Sequence, residues 1–307
     1  MYKACFTAFD YSVPDKWYEG LYTDLAPVRK SARSFRIVHE NRPAECWLLI
    51  HGYRGYPGEM VRPATDLYEE GFDVFVPRLP GHGTSGDDFI RTGSSDWMGV
   101  VEKAVGDLKT RYDKVNIAGH SMGSAMAAII GCGDGQIGKI VYICPSFENA
   151  QMPLPARIAL RVCAPFTPRL NCRWHQSRSY HLHYEDAPCD DSYLGHEYWT
   201  WYFTRQLPQY YRIMKRGLKA VGEHPHEHLV ICPGKDRIIS IPSLKLYRKA
   251  VRGNENVVMV ENGTHCIMYD KDPDAEEKAI RAIVDFARGE CGDPCKRQDT
   301  EEGHKLE

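Results

Sequence analysis

KVNIAGHSMGSAM, residues 114–126, carries an apolar run into Gly-His-Ser-Met-Gly and then into small residues. The apolar run reads as a buried strand and the small residues as the start of a helix, so Ser121 falls on a strand-to-helix turn. Serine is a favoured helix cap. A cap, however, needs no glycine two residues before it and another two residues after. Gly119 and Gly123 make sense where side chains at those positions would collide with neighbouring backbone, as in a strained turn that holds a nucleophilic serine outward.

Working outward, short apolar runs alternate with longer amphipathic stretches. Candidate strands are 34–40, 46–50, 72–77, 114–119, 139–144, 228–233 and 256–261. Most are continuous rather than alternating, as expected of strands covered on both faces. The clearest helix is 94–112, capped by Ser94 or Ser95, with Trp97, Val101, Ala104 and Leu108 on one face. The pattern predicts an α/β fold with a mainly parallel central sheet flanked by helices. Residues 149–215 break the alternation. They carry no convincing strand, and 196–216 reads as two helices interrupted at Pro208. The expected organisation is a core of 1–148 and 216–290, a helical cap of 149–215 inserted after the sixth strand, and a polar, disordered tail of 291–307.

The chain has 307 residues, 43% of them hydrophobic, and its 39 Lys+Arg nearly balance its 41 Asp+Glu. No basic stripe marks a nucleic-acid partner. There is no secretory leader pattern and no run of 18 apolar residues, so no stable membrane insertion is expected and the location is read as cytoplasmic. The 11 cysteines are odd in number and scattered. Cys46, Cys144 and Cys232 lie in strand-like runs as small buried hydrophobes of a reducing compartment. Cys291 and Cys295 lack a second pair at zinc spacing, and His224, His226 and His228 lack completing ligands, so no metal is expected.

Ligands in open α/β sheets bind beyond the carboxyl ends of the strands. Four reactive positions follow strands directly. A serine hydroxyl such as Ser121 needs an adjacent base. His265 suits that task because imidazole titrates near neutral pH. Asp236 follows the strand before it and would orient the imidazole; Glu148, after 139–144, is its competitor and is less favoured. The strand ending in His51-Gly52 presents the backbone N–H of Tyr53, and Met122 supplies a second, for a developing oxyanion. His82, in a glycine-rich loop, reads as structural.

With HGYRG (51–55), RLPGHGTSGDDFIRTGSSDW (78–97), GHSMG (119–123), PGKDRIIS (233–240) and GTHC (263–266), the sequence resembles the α/β-hydrolase superfamily, in particular bacterial carboxylesterases and monoacylglycerol lipases. The resemblance covers about 33–288. It departs at Ser124, where many relatives have a second glycine, and at Tyr53, where Phe or a small residue is common. It implies the α/β-hydrolase fold and a serine hydrolase acting on small-molecule carboxylic esters (short- to medium-chain acyl esters or monoacylglycerols) through an acyl-enzyme, without any cofactor. Two further readings stay open. The acidic run 184–191 resembles the cap acids that bind a free amino terminus in related serine aminopeptidases, although such a run on a loop is more often a solvated surface, and some relatives are ligand receptors with slow turnover. The cap aromatics, Trp199 and Tyr202 among them at helical spacing with Phe203 and Tyr198, either line a substrate pocket or pack the cap onto the core.

Overall fold

Continuous apolar runs become the interior of one seven-stranded sheet in the computed structural model, which describes residues 9–13, 15–149, 154–172, 186–223, 226–237, 239–251 and 256–290. In chain order, β1 (Phe35–Ile37), β2 (Glu45–Ile50), α1 (Val61–Glu69), β3 (Asp73–Val76), α2 (Gly86–Phe89), α3 (Ser94–Leu108), β4 (Lys114–His120), α4 (Met122–Gly131) and β5 (Ile137–Ile143) lead to the insertion. The insertion holds α5 (Leu154–Cys163), β6 (Leu170–Asn171), α6 (Asp190–Trp199) and β7 (Trp201–Tyr202). Then come α7 (Leu207–Val221), β8 (His228–Pro233), α8 (Ser240–Val251), β9 (Val257–Val260) and α9 (Pro273–Arg288).

The sheet order is β1-β3-β2-β4-β5-β8-β9, antiparallel only between β1 and β3. Strand β4 is central, pairing with β2 from Glu45↔Lys114 to Ile50↔Gly119. Helices α1 and α9 pack together, and α3, α4, α7 and α8 form a second contacting row. Trp47, Phe75, Ile117 and Val141 are fully buried between such layers. Each such side chain contributes roughly 1.5–3 kcal/mol through its removal from water. That is why these strands read as unbroken apolar runs. Trp97, Val101, Ala104 and Leu108 are buried on one face of α3, as its spacing predicted.

Several expectations are corrected. The insertion follows the fifth described sheet strand, not a sixth. The first strand keeps only three of its seven anticipated residues. Helix α3 is capped by Gly93, whose N–H is accepted by the Asp96 carboxylate at 2.8 Å; neither Ser94 nor Ser95 caps it. The insertion does contain strand: β6 and β7 form a two-residue antiparallel ribbon. Pro208 does not interrupt a helix but sits in the first turn of α7, where its missing N–H is harmless. The break lies earlier, at Thr200. The expected boundary at 215/216 falls inside α7, whose buried face runs on through Gly217, Ala220 and Val221. Gly217 lets that helix approach closely, since a Cβ there would stand 2.7 Å from Ala125 Cα on α4. Residues 291–307, with Cys291 and Cys295, lie outside the described residues.

Among the described residues, no helix is long and apolar enough to cross a membrane.

Candidate active site

Ser121 sits at the junction of β4 and α4 with φ 54° and ψ −113°, a left-handed conformation costly for any residue with a Cβ. Its side chain makes no capping bond to the helix. The backbone is held instead by its own N–H donating to Ile143 O at 2.8 Å and by its carbonyl accepting from Ser124 N at 3.0 Å. Both flanking glycines are sterically required. A Cβ at Gly119 would lie 2.1 Å from Gly123 O, and one at Gly123 would lie 2.2 Å from Ile50 O. Ser124, where the resemblance departs, fits because its buried hydroxyl can share its proton between Gly119 O at 2.6 Å and Ile143 O at 3.0 Å.

The Ser121 hydroxyl is 2.9 Å from His265 Nε2, and His265 Nδ1 is 2.6 Å from Asp236 Oδ2. Asp236 follows β8, and its carboxylate also accepts from the Ile239 and Ser240 N–H groups at 3.0 Å and from the Ser240 hydroxyl at 2.5 Å. Burial alone would raise its pKa. The hydrogen bond and charge of His265, with the Ser240 and Ile239 donors, outweigh burial and hold the carboxyl well below the usual range. Glu148 is turned elsewhere, paired with Arg157.

Gly52 brings the loop after β2 against the serine, since a Cβ there would stand 3.2 Å from Ser121 Cβ. Neither the Tyr53 nor the Met122 N–H has a hydrogen-bond acceptor among the described residues. The next residue, Arg54, has φ 62° and is half-buried against the insertion. Its Nη1 donates to Trp201 O at 3.0 Å and Tyr198 O at 3.3 Å, and its guanidinium lies 4.3 Å from the Trp199 ring centroid. The loop beside Ser121 and the end of α6 are thus clamped together.

Sequence reading missed Tyr210, on the first turn of α7. Its ring stacks on Tyr53 with centroids 4.8 Å apart, and its hydroxyl reaches the hydroxyls of Ser146 and Ser121. Burial raises its pKa, so it stays a neutral donor. Only its position beside an apolar periodic face hinted at burial. A cleft of about 560 Å³ lies between α5, α7 and α8; Phe147, Ile158, Tyr211, Met214 and Leu246 share its walls with charged side chains such as Glu148 and Arg157, and none of Ser121, Asp236 or His265 lines it.

The cap residues divide. Trp199 ends α6 and packs partly buried against Arg54, whereas Tyr202 is 50% exposed on the β6–β7 ribbon. The helix stops at Trp199, so Tyr202 and Phe203 are not one turn beyond Tyr198 and Trp199 as the spacing suggested. Tyr198 and Phe203 are buried, with Tyr198 donating to Gly81 O at 2.9 Å and Phe203 packed on Phe89. In the acidic run, Asp186 pairs with Lys30 at 2.8 Å and Asp190 with Arg29 at 2.6 Å, which ties the insertion to residues 29–31. Asp191 accepts from the Tyr56 hydroxyl at 3.2 Å. His82 is buried beside His51, and its ring contacts Phe89 and Trp97. His226 and His228 bond to backbone carbonyls, and His224 lies outside the described residues. Among the described residues, no group of three His, Cys, Asp or Glu side chains is arranged to hold a metal.

Chemically, the cluster pairs a hydroxyl with a base and the base with a buried carboxylate, and the backbone N–H groups of Tyr53 and Met122 have no acceptor among the described residues. Residues 47–278 match the model of the Alpha/beta hydrolase family. A thermostable monoacylglycerol lipase of Bacillus sp. (strain H-257) is 37% identical over 131 residues, 42% of this chain and 49% of that protein. A carboxylesterase of Bacillus subtilis (strain 168) is 28% identical over 85 residues, 27% of this chain and 35% of the relative. The match therefore spans half or less of the length of these curated relatives. Among solved structures, a metagenome-derived lipolytic enzyme superposes with a TM-score of 0.71 at 19% identity, over 86% of this chain and 100% of the other.

Proposed function

Since the chain belongs to the alpha/beta hydrolase family, we propose that it hydrolyses carboxylic esters, short- to medium-chain acyl esters or monoacylglycerols, through an acyl-enzyme on Ser121. The observation that carries this is the unbroken contact from Ser121 Oγ through His265 to Asp236. His265 Nε2 takes the hydroxyl proton as Oγ attacks the ester carbonyl. The Tyr53 and Met122 N–H groups then stabilise the oxyanion, where each donor is worth roughly 3–4 kcal/mol. Asp236 holds Nδ1–H toward itself and stabilises the imidazolium. His265 returns the proton to the departing alcohol. Water enters, loses its proton to His265 and attacks the acyl carbon, and the second tetrahedral intermediate collapses to release the acid and the Ser121 hydroxyl. No step calls for a cofactor.

Two acids of the run 184–191, Asp186 and Asp190, are already engaged by Lys30 and Arg29 and so are less available to a free amine. The insertion serves as the cap over this site, ending near residue 206 where α7 begins.

The test is a panel of aryl esters from acetate to palmitate, monoacylglycerols and aminoacyl amides, together with a fluorophosphonate probe. Sustained ester turnover and labelling lost in Ser121→Ala are expected. Labelling that survives that change, or faster turnover of the amides, would overturn the proposal. A single slow turnover would mark a ligand receptor.

A further inference from the structure

Behind His265 lies a second histidine that the reaction does not use. His120 directly precedes Ser121 and is 3% exposed. Its Nε2 is 2.8 Å from the backbone oxygen of His265. A carbonyl oxygen only accepts, so this contact fixes the proton on Nε2 and leaves a bare lone pair on Nδ1. That Nδ1 is buried and has no hydrogen-bond partner. Facing it is the buried carboxyl of Glu59, whose Oε2 stands 3.9 Å away, about 1 Å beyond hydrogen-bonding distance. An ionised carboxylate facing a lone pair repels it, whereas a carboxylic acid donates to it.

Every group around Glu59 bears on its proton. Asp191 comes from α6, Tyr269 and Cys266 from the segment after His265, Tyr56 from the turn before α1, and His120 from β4. Burial first, and then the Asp191 charge, push the Glu59 carboxyl up to about 8, against hydrogen bonds from Tyr269 and the Tyr56 backbone. Burial and the neighbouring His265 hold His120 neutral, its pKa pulled down to about 3.

We infer that Glu59 acts as a neutral acid that donates to Nδ1 of His120 and thereby steadies, through the His120–His265 contact, the segment carrying the base. Glu59 and His120 are positioning residues: neither reaches the reacting atoms. This rests on His265 being the base, as proposed above. Deprotonation of Glu59 leaves Nδ1 without a donor and loosens that segment, so activity declines above about pH 8.

Two measurements on the full chain test it. In protein labelled with 15N-histidine, His120 is expected as the Nε2–H tautomer, with an Nδ1 shift that titrates near pH 8 in the parent and stays flat in Glu59→Gln. An Nδ1–H tautomer, or an Nδ1 shift flat from pH 6 to 9.5 in the parent, overturns the inference whatever the substrate. Kinetically, Glu59→Gln keeps a donor amide and should retain kcat/KM at pH 7 within about threefold while losing the alkaline decline. Glu59→Ala should lower kcat about tenfold with KM little changed, the worth of one hydrogen bond. An alkaline decline that persists unchanged in Glu59→Gln refutes the role. A Gln variant as impaired as Ala refutes it too.

Discussion

Replacing Gly123 by Ala would place a methyl group 2.2 Å from Ile50 O, 2.9 Å from Ile50 C and 3.1 Å from His51 O. Ordinary van der Waals contact begins near 3.4 Å, so the end of β2 and the start of α4 must part by more than 1 Å. Both obstacles are backbone, and no side-chain rotation relieves them. Overpacking of this kind costs about 1–3 kcal/mol in stability. The kinetic loss should be larger, because the displaced strand end delivers Tyr53 and a 1 Å misplacement costs on the order of 10² in rate. The assay is kcat/KM on a short aryl ester beside the melting temperature, with Gly106→Ala as the reference. Gly106 lies in α3, where an added Cβ would meet nothing within 4 Å. There the same change removes only unfolded-state freedom and should raise stability by about 0.4–1 kcal/mol. A Gly123→Ala protein with parental melting temperature and kcat/KM within threefold of the parent would refute the steric account of the turn.

Asp236→Asn should lower kcat by about 10⁴, while Glu148→Gln leaves the rate near parental. The same Asn variant should lose less stability in acid than the parent does. A carboxyl held below its ordinary pKa of 3.8 contributes stability above that value and loses it as pH falls toward the folded pKa, as urea titrations at pH 2–6 would show. Tyr210→Phe should reduce kcat by about 3–10-fold and lower stability by about 1–3 kcal/mol, since it keeps the ring but removes the partner of the buried Ser146 hydroxyl. Trp199→Ala should shift kcat/KM among acyl lengths by tens of fold, whereas the exposed Tyr202→Ala should leave the chain-length profile flat, read from the ester panel.

The core was legible because its chemistry is local. Residues 228–233 form β8 with the anticipated ends, since covered parallel strands must be apolar throughout. Ser121, Asp236 and His265 were legible because each ends a strand in a short turn, and the sheet brings those turns together. The insertion was opaque for the opposite reason. Its strands are two residues long, too short for any period, and the turn at Thr200 cancels the helical spacing of Tyr198 with Tyr202. The 215/216 division failed because α7 belongs to the core from its first turn, and nothing in its polar exposed face signals that. Glu59 and His120 lie 61 positions apart in sequence, and their meeting depends on a lone pair that only the His265 carbonyl assigns.

Arg54 binds two parts of the molecule that are usually thought of as exchangeable. It belongs to the loop that would stabilise the oxyanion, yet its guanidinium is spent on carbonyls at the end of α6 and on the Trp199 ring. Grafting in a foreign insertion would strand a half-buried cation in the loop after β2, and trimming Arg54 would leave the carbonyls of Tyr198 and Trp201 without this donor. The two segments therefore form a single unit of inheritance: in recombination between relatives, residue 54 and residues 198–201 must travel together for either to keep its shape.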